Sequence, residues 1–93
     1  MNSDKHPVFW YNLNMLEGKY GKGDKDIAGV LNKSLATYSK KKNGKVAWFL
    51  DECASVADYF TSLAKKNGEK VIVSDNVKQD RRYSVDEIFL RKG

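Results

Sequence analysis

The side chains best able to do chemistry in this chain are cations gathered at two places. Lys40, Lys41, Lys42 and Lys45 surround one Asn-Gly pair, and Lys65, Lys66 and Lys70 surround another. Lysine attracts phosphate as a point charge, because an ammonium lacks the planar fork with which a guanidinium reads a base. Arg81, Arg82 and Tyr83 follow in the tail, where the two guanidinium groups could extend a cationic surface and the phenol ring could stack on a base. These ten residues are the expected contacts with nucleic acid or another partner. The same lysines also have a structural reading, since cations in the last turn of a helix offset its dipole.

Other constellations are thinner. Asp51 and Asp75 each follow an apolar run of strand length. If those runs were neighbouring strands, the two carboxylates could meet at the carboxyl edge of a sheet and hold Mg²⁺. Helix caps and turns collect aspartates for simpler reasons, so the pair is only a weak metal alternative. Cys53 falls in the first turn of an expected helix, but a thiolate nucleophile needs a base, and the one histidine is His6 near the chain start. Gly18-x-x-Gly21-x-Gly23 fits neither nucleotide-loop pattern. No catalytic set, metal or cofactor is therefore expected. Trp10 and Tyr11 belong to Val8-Phe9-Trp10-Tyr11, a run too aromatic for one helix face to hide, and exposed aromatics are common anchors of protein contacts.

Ninety-three residues with 41% apolar content suit a single domain over 1–93 with one modest core. A net charge of +5, from 17 Lys and Arg against 12 Asp and Glu, mildly favours an anionic partner. One cysteine cannot form an internal disulfide, which favours a reducing compartment. No stretch approaches the roughly 20 apolar residues of a membrane span, so the expected location is cytoplasmic with no membrane partner.

The elements that would position these groups follow from periodicity. Phe9, Leu13, Leu16 and Tyr20 fit one face of a helix over 7–17, although the aromatic run also suits a strand. Residues 1–6 are expected to be mobile and 18–23 to form a flexible Gly/Lys connector. Ile27, Val30, Leu31, Leu35 and Tyr38 make the stripe of one continuous helix over about 25–42, stopped by Asn43-Gly44. Lys45 to Leu50 then reads as a strand covered on both faces. The pattern recurs with a helix over about 52–66, its Ser55 and Asp58 in capping-box spacing, stopped by Asn67-Gly68 before a strand over about 70–74. Ser84 and Glu87 are spaced as another capping box, so 84–91 is a short helix or an edge strand.

The fold class expected is therefore α+β or small α/β in two layers. Two amphipathic helices pack on a sheet holding a parallel pair, 45–50 with 70–74, which would bring both lysine clusters to one edge. The helix-helix-strand order of the first 50 residues resembles a winged-helix arrangement in outline, but a continuous helix from Asp24 to Lys42 lacks the short turn such an arrangement needs. The functional expectation is a small basic non-enzymatic binding protein that contacts nucleic acid or a nucleoprotein complex. The alternatives are a phage or mobile-element type of inhibitor that blocks a host protein by direct contact, and a minimal Mg²⁺-dependent nuclease. The pattern sets no oligomeric state.

Overall fold

The computed structural model describes residues 6–89, and it is an α+β structure of five helices and one two-stranded antiparallel sheet. Helix α1 spans Val8–Tyr20, α2 Asp24–Leu31, α3 Leu35–Lys42 and α4 Leu50–Lys66. Strands β1 (Lys70–Ser74) and β2 (Val77–Asp80) follow, and α5 (Val85–Phe89) is the last of the described elements. The expectation of mobility for residues 1–5, and the end of the last expected element at 90–91, lie outside the described residues.

The ambiguous segment 7–17 is helix, and α1 runs on through Gly18, Lys19 and Tyr20. Gly21, at φ 66, ends it in the left-handed region that favours glycine, so the connector shrinks to Gly21–Gly23. Asp26 then turns its carboxylate back to accept from the Gly23 N–H, 2.9 Å away, which secures the start of α2.

The expected continuous helix over 25–42 is two helices. Asn32 adopts φ 58 and its N–H and that of Lys33 close the end of α2 on Gly29 and Ala28. Ser34 then caps α3, its Oγ accepting from the Thr37 N–H at 3.1 Å. Asparagine tolerates the left-handed region better than other non-glycine residues, so Asn32-Lys33-Ser34 is a stop and a start together. A short turn between two helices thus stands where one continuous helix is expected. Its consequence is visible in the stripe: Ile27, Leu31 and Tyr38 are buried, while Leu35 at the new helix start is exposed.

The expected strand 45–50 does not form, and with it the parallel pair disappears. Residues 45–49 are a loop, and α4 starts at Leu50, so Ser55 and Asp58 lie inside the helix rather than at its cap. Two side chains hold the loop where a ladder would otherwise be needed. Lys41 Nζ donates to the Ala47 carbonyl at 2.7 Å, and the Trp48 indole N–H donates to the Lys41 carbonyl at 2.9 Å. Trp48 packs its ring against Tyr38, Phe9 and Phe89.

The core lies among the helices. Leu13 and Leu16 of α1, Ile27 and Leu31 of α2, Tyr38 of α3, Val56 and Phe60 of α4 and Ile88 of α5 form one cluster. Each such side chain contributes about 1.5–3 kcal/mol by leaving water. On α4 the buried apolar set is Cys53, Val56, Ala57, Phe60 and Ala64, a single helical face. The Ser84–Glu87 capping box forms as spaced, with Glu87 N–H donating to Ser84 Oγ at 3.1 Å and Ser84 N–H to Glu87 Oε1 at 2.9 Å.

The hairpin stands apart from this core. Lys70, Val71 and Ile72 pair with Asp80, Gln79 and Lys78, an irregularity follows at Val73, and Ser74 pairs with Val77. Asn76, at φ 62, supplies the left-handed residue of the two-residue Asp75-Asn76 turn. Every residue of β1 is exposed, and of β2 only Asp80 is partly covered.

Candidate binding surface

The first lysine cluster is split by burial. Lys41 and Lys42, on the inward side of the last turn of α3, are 2% and 5% exposed. Lys41 Nζ reaches Glu52 at 2.9 Å and sits over the rings of Trp48 and Phe49. Lys42 Nζ lies 2.6 Å from Asp24 and 3.3 Å from Glu17, whose other oxygen accepts from the Tyr38 hydroxyl at 2.7 Å. These contacts tie α1, α2, α3 and α4 together, and among the described residues no buried side-chain nitrogen or oxygen lacks a partner. Lys40 and Lys45 remain at the surface, where the Lys45 N–H donates to the Lys40 carbonyl at 2.8 Å.

Burial and pairing set the ionisation of these acids. Burial disfavours the charge on Glu52, but hydrogen bonds from Lys41 and from the Phe49 N–H outweigh it and hold the carboxyl below its usual range. Asp24 is lowered in the same way, burial being overcome chiefly by Lys42. Glu17 moves the opposite way. Burial and the neighbouring Asp24 carboxylate raise it, against Tyr38 and Lys42. Burial and Glu52 raise the thiol of Cys53, which makes it a packed core residue rather than an activated nucleophile.

The second cluster has the opposite fate. Lys65 and Lys66 are exposed at the end of α4, and Lys70 is exposed on β1, where it pairs with Asp80. Arg82 is exposed beside them, and Lys78 projects from β2. Lys65 and Arg82 line one shallow groove of about 360 Å³ between α4 and the root of the hairpin, together with Asp58, Thr61, Ser62 and Asp80. Among the described residues, Lys65, Lys66, Lys78 and Arg82 have no carboxylate partner.

The remaining expected residues fall elsewhere. Arg81 is bound to Glu87 at 2.9 Å and lies over the Tyr83 ring at 4.0 Å. Tyr83 is buried, its hydroxyl 2.8 Å from that of Tyr20, and so presents no free face for stacking on a base. Trp10 is half-buried and stacks on His6 at 3.9 Å, while Tyr11 is 54% exposed. Asp51 lies in the first turn of α4 and accepts from the Glu52 N–H at 3.0 Å. Asp75 sits in the hairpin turn beyond the other end of α4, a helix of 17 residues and about 25 Å. The structure does not bring these two carboxylates together, and among the described residues no group of three or more His, Cys, Asp or Glu could hold a metal ion.

Sequence reasoning missed Lys78 and the hairpin itself. The signal was present, since Asp75-Asn76 between Val71–Val73 and Val77 is a two-residue turn flanked by β-branched residues. No described helix is long and apolar enough to cross a membrane. No protein-family model matches this chain, and no curated protein or solved structure resembles it closely enough to count as a match.

Proposed function

We propose that this is a non-enzymatic binding and regulatory protein that contacts nucleic acid, or a complex handling it, through the cationic root of its hairpin. The observation that carries this reading is the contrast in pairing: Lys41 and Lys42 are consumed inside the fold, whereas Lys65 and Arg82 line one groove at the hairpin root and, like the exposed Lys66 and Lys78, form no ion pair among the described residues. Such a set neutralises phosphates and releases counterions, with no requirement for a base sequence. The lone buried Cys53 suits action in a reducing compartment such as the cytoplasm.

The test is a salt series of binding to single- and double-stranded DNA and RNA. If about four phosphates are contacted, log affinity falls against log salt with a slope of about −3 to −4. Lys65→Glu with Lys66→Glu should weaken binding at least tenfold and flatten that slope by about 2, since both sites are exposed and leave the core intact. Absence of binding to all four probes at low salt removes the reading.

A second reading has its own observation. Val8, Tyr11 and Met15 form an outward apolar stripe on α1, with Met15 63% exposed. Such a stripe supports direct contact with a protein, as an inhibitor would make. Absence of nucleic-acid affinity, together with capture of one defined protein that Tyr11→Ala abolishes, would favour it.

A further inference from the structure

We propose that β1 pairs edge to edge with β1 of a second copy, antiparallel about Ile72, so that two hairpins become one four-stranded sheet. This rests first on the apolar side chains of the hairpin and does not depend on the proposed contact with nucleic acid.

A lone two-stranded ribbon is marginal in water and usually keeps apolar residues to one covered face. Here neither strand packs substantially on any helix. Strand alternation sends Val71 and Ile72 to opposite faces, and Val71, Ile72, Val73 and Val77 are all exposed, Ile72 by 71%. The two edges differ. The β2 edge carries Lys78, Gln79 and Asp80, the polar side chains with which proteins block further pairing. The β1 edge is Val-Ile-Val over its middle, with one charged side chain, Lys70, at the root and an irregularity at Val73.

A two-fold axis through Ile72 gives β1 a matched partner. Ile72 faces its own mate, Val71 faces Val73 of the second copy, and Lys70 faces Ser74, so apolar meets apolar and no like charges oppose within the strand. Charge favours the same arrangement. Antiparallel pairing sets the tip of each hairpin, with Asp75, against the root of the other, where Lys65, Lys66 and Lys70 lie. Glu69, which would stand opposite that Asp75, is already held by Lys19 at 3.1 Å. Because the outer edges of the joined sheet are the guarded β2 strands, the contact closes at two copies and does not propagate.

Light scattering on nuclease-treated, size-fractionated protein, from micromolar to several hundred micromolar, tests this. The mass should double with concentration and return to that of one chain in Ile72→Glu, while Met15→Glu on α1 leaves the doubling unchanged. Ile72 is outside the core, so its replacement does not threaten the fold. In a Cys53→Ala background, Ile72→Cys should form an intermolecular disulfide under mild oxidation, and Lys78→Cys on the opposite edge should not. A single-chain mass throughout, a doubling that survives Ile72→Glu, or equal cross-linking from Lys78→Cys would overturn the proposal.

Discussion

Two Lys-Lys-Asn-Gly tetrads end helices in this molecule, and their backbones are nearly the same. Asn43 and Asn67 have φ −87 and −83, and Gly44 and Gly68 have φ 82 and 72. In each, the glycine N–H returns to the lysine three residues back, and the next N–H returns five residues back, to Lys40 and to Ala64. Yet Lys41 and Lys42 are buried in ion pairs, and Lys65 and Lys66 are in water. The difference arises after the glycine. Beyond Gly44 the loop folds back over the helix end and α4 brings Glu52 to Lys41, whereas beyond Gly68 the chain departs as a hairpin that packs on no helix to any great extent. The tetrad encodes how a helix stops, and the path of the following chain decides what its lysines do.

The sharpest way to break the comparison is to remove one lysine from each tetrad. Lys41→Ala leaves Glu52 buried without its ammonium partner and takes a donor from the Ala47 carbonyl. Loss of one partner of a buried pair costs about 3–5 kcal/mol. Lys65→Ala touches an exposed side chain with no carboxylate partner and should stay within about 0.5 kcal/mol of the parent. Urea midpoints measure both, and equal effects would mean that the two lysines are equivalent after all.

This contrast also marks how much was legible in the residues. Both Asn-Gly stops, the amphipathic face of α4 and the Ser84–Glu87 cap are local signals, and each appears in the structure where the pattern puts it. The break at Asn32 was local too, but the apolar stripe crossing it from Ile27 to Tyr38 concealed it, because two helices packed on one core keep their apolar positions facing inward. The run Val46–Leu50 has the composition of a strand, and tertiary hydrogen bonds from Lys41 and Trp48 hold it as a loop. Lys41 and Lys42 were unreadable as buried groups because their acids, Glu17, Asp24 and Glu52, come from three other helices. Of the expected cationic surface, the part around Lys65, Lys66, Lys70 and Arg82 is brought together, while Lys41, Lys42, Arg81 and Tyr83 are engaged within the fold.

Acid sharpens the comparison with a smaller effect. Glu52 and Asp24 are held below their ordinary values near 4.5 and 3.8, so the stability they confer is present above those values and is lost as pH falls through the lowered ones. Glu17 is held above 4.5, so its ionisation opposes the fold and stability slips as pH rises from there through the raised value. A urea series between pH about 3 and 7 should therefore rise and then dip slightly. Glu17→Gln should remove the dip, and Glu52→Gln should flatten the acid limb. The Lys65→Ala, Lys66→Ala protein should keep the dip and nearly all of the acid limb, since no buried acid faces those lysines and only the surface carboxylate Asp80 feels Lys65.

The smallest effect distinguishes the two glycines. Both hold left-handed backbone, where a Cβ costs about 1–2 kcal/mol, so Gly44→Ala and Gly68→Ala should each destabilise. At Gly68 the new methyl meets nothing within 4 Å, and the cost is that of the backbone alone. At Gly44 it meets Pro7 Cγ at 3.0 Å, so Pro7, immediately before α1, must give way. Gly44→Ala should therefore lower the urea midpoint more than Gly68→Ala by a few tenths of a kcal/mol, and Pro7→Ala combined with Gly44→Ala should recover that excess. Equal loss at the two glycines would place the buried tetrad's tightness in its ion pairs alone and not in the seating of α1 on the loop.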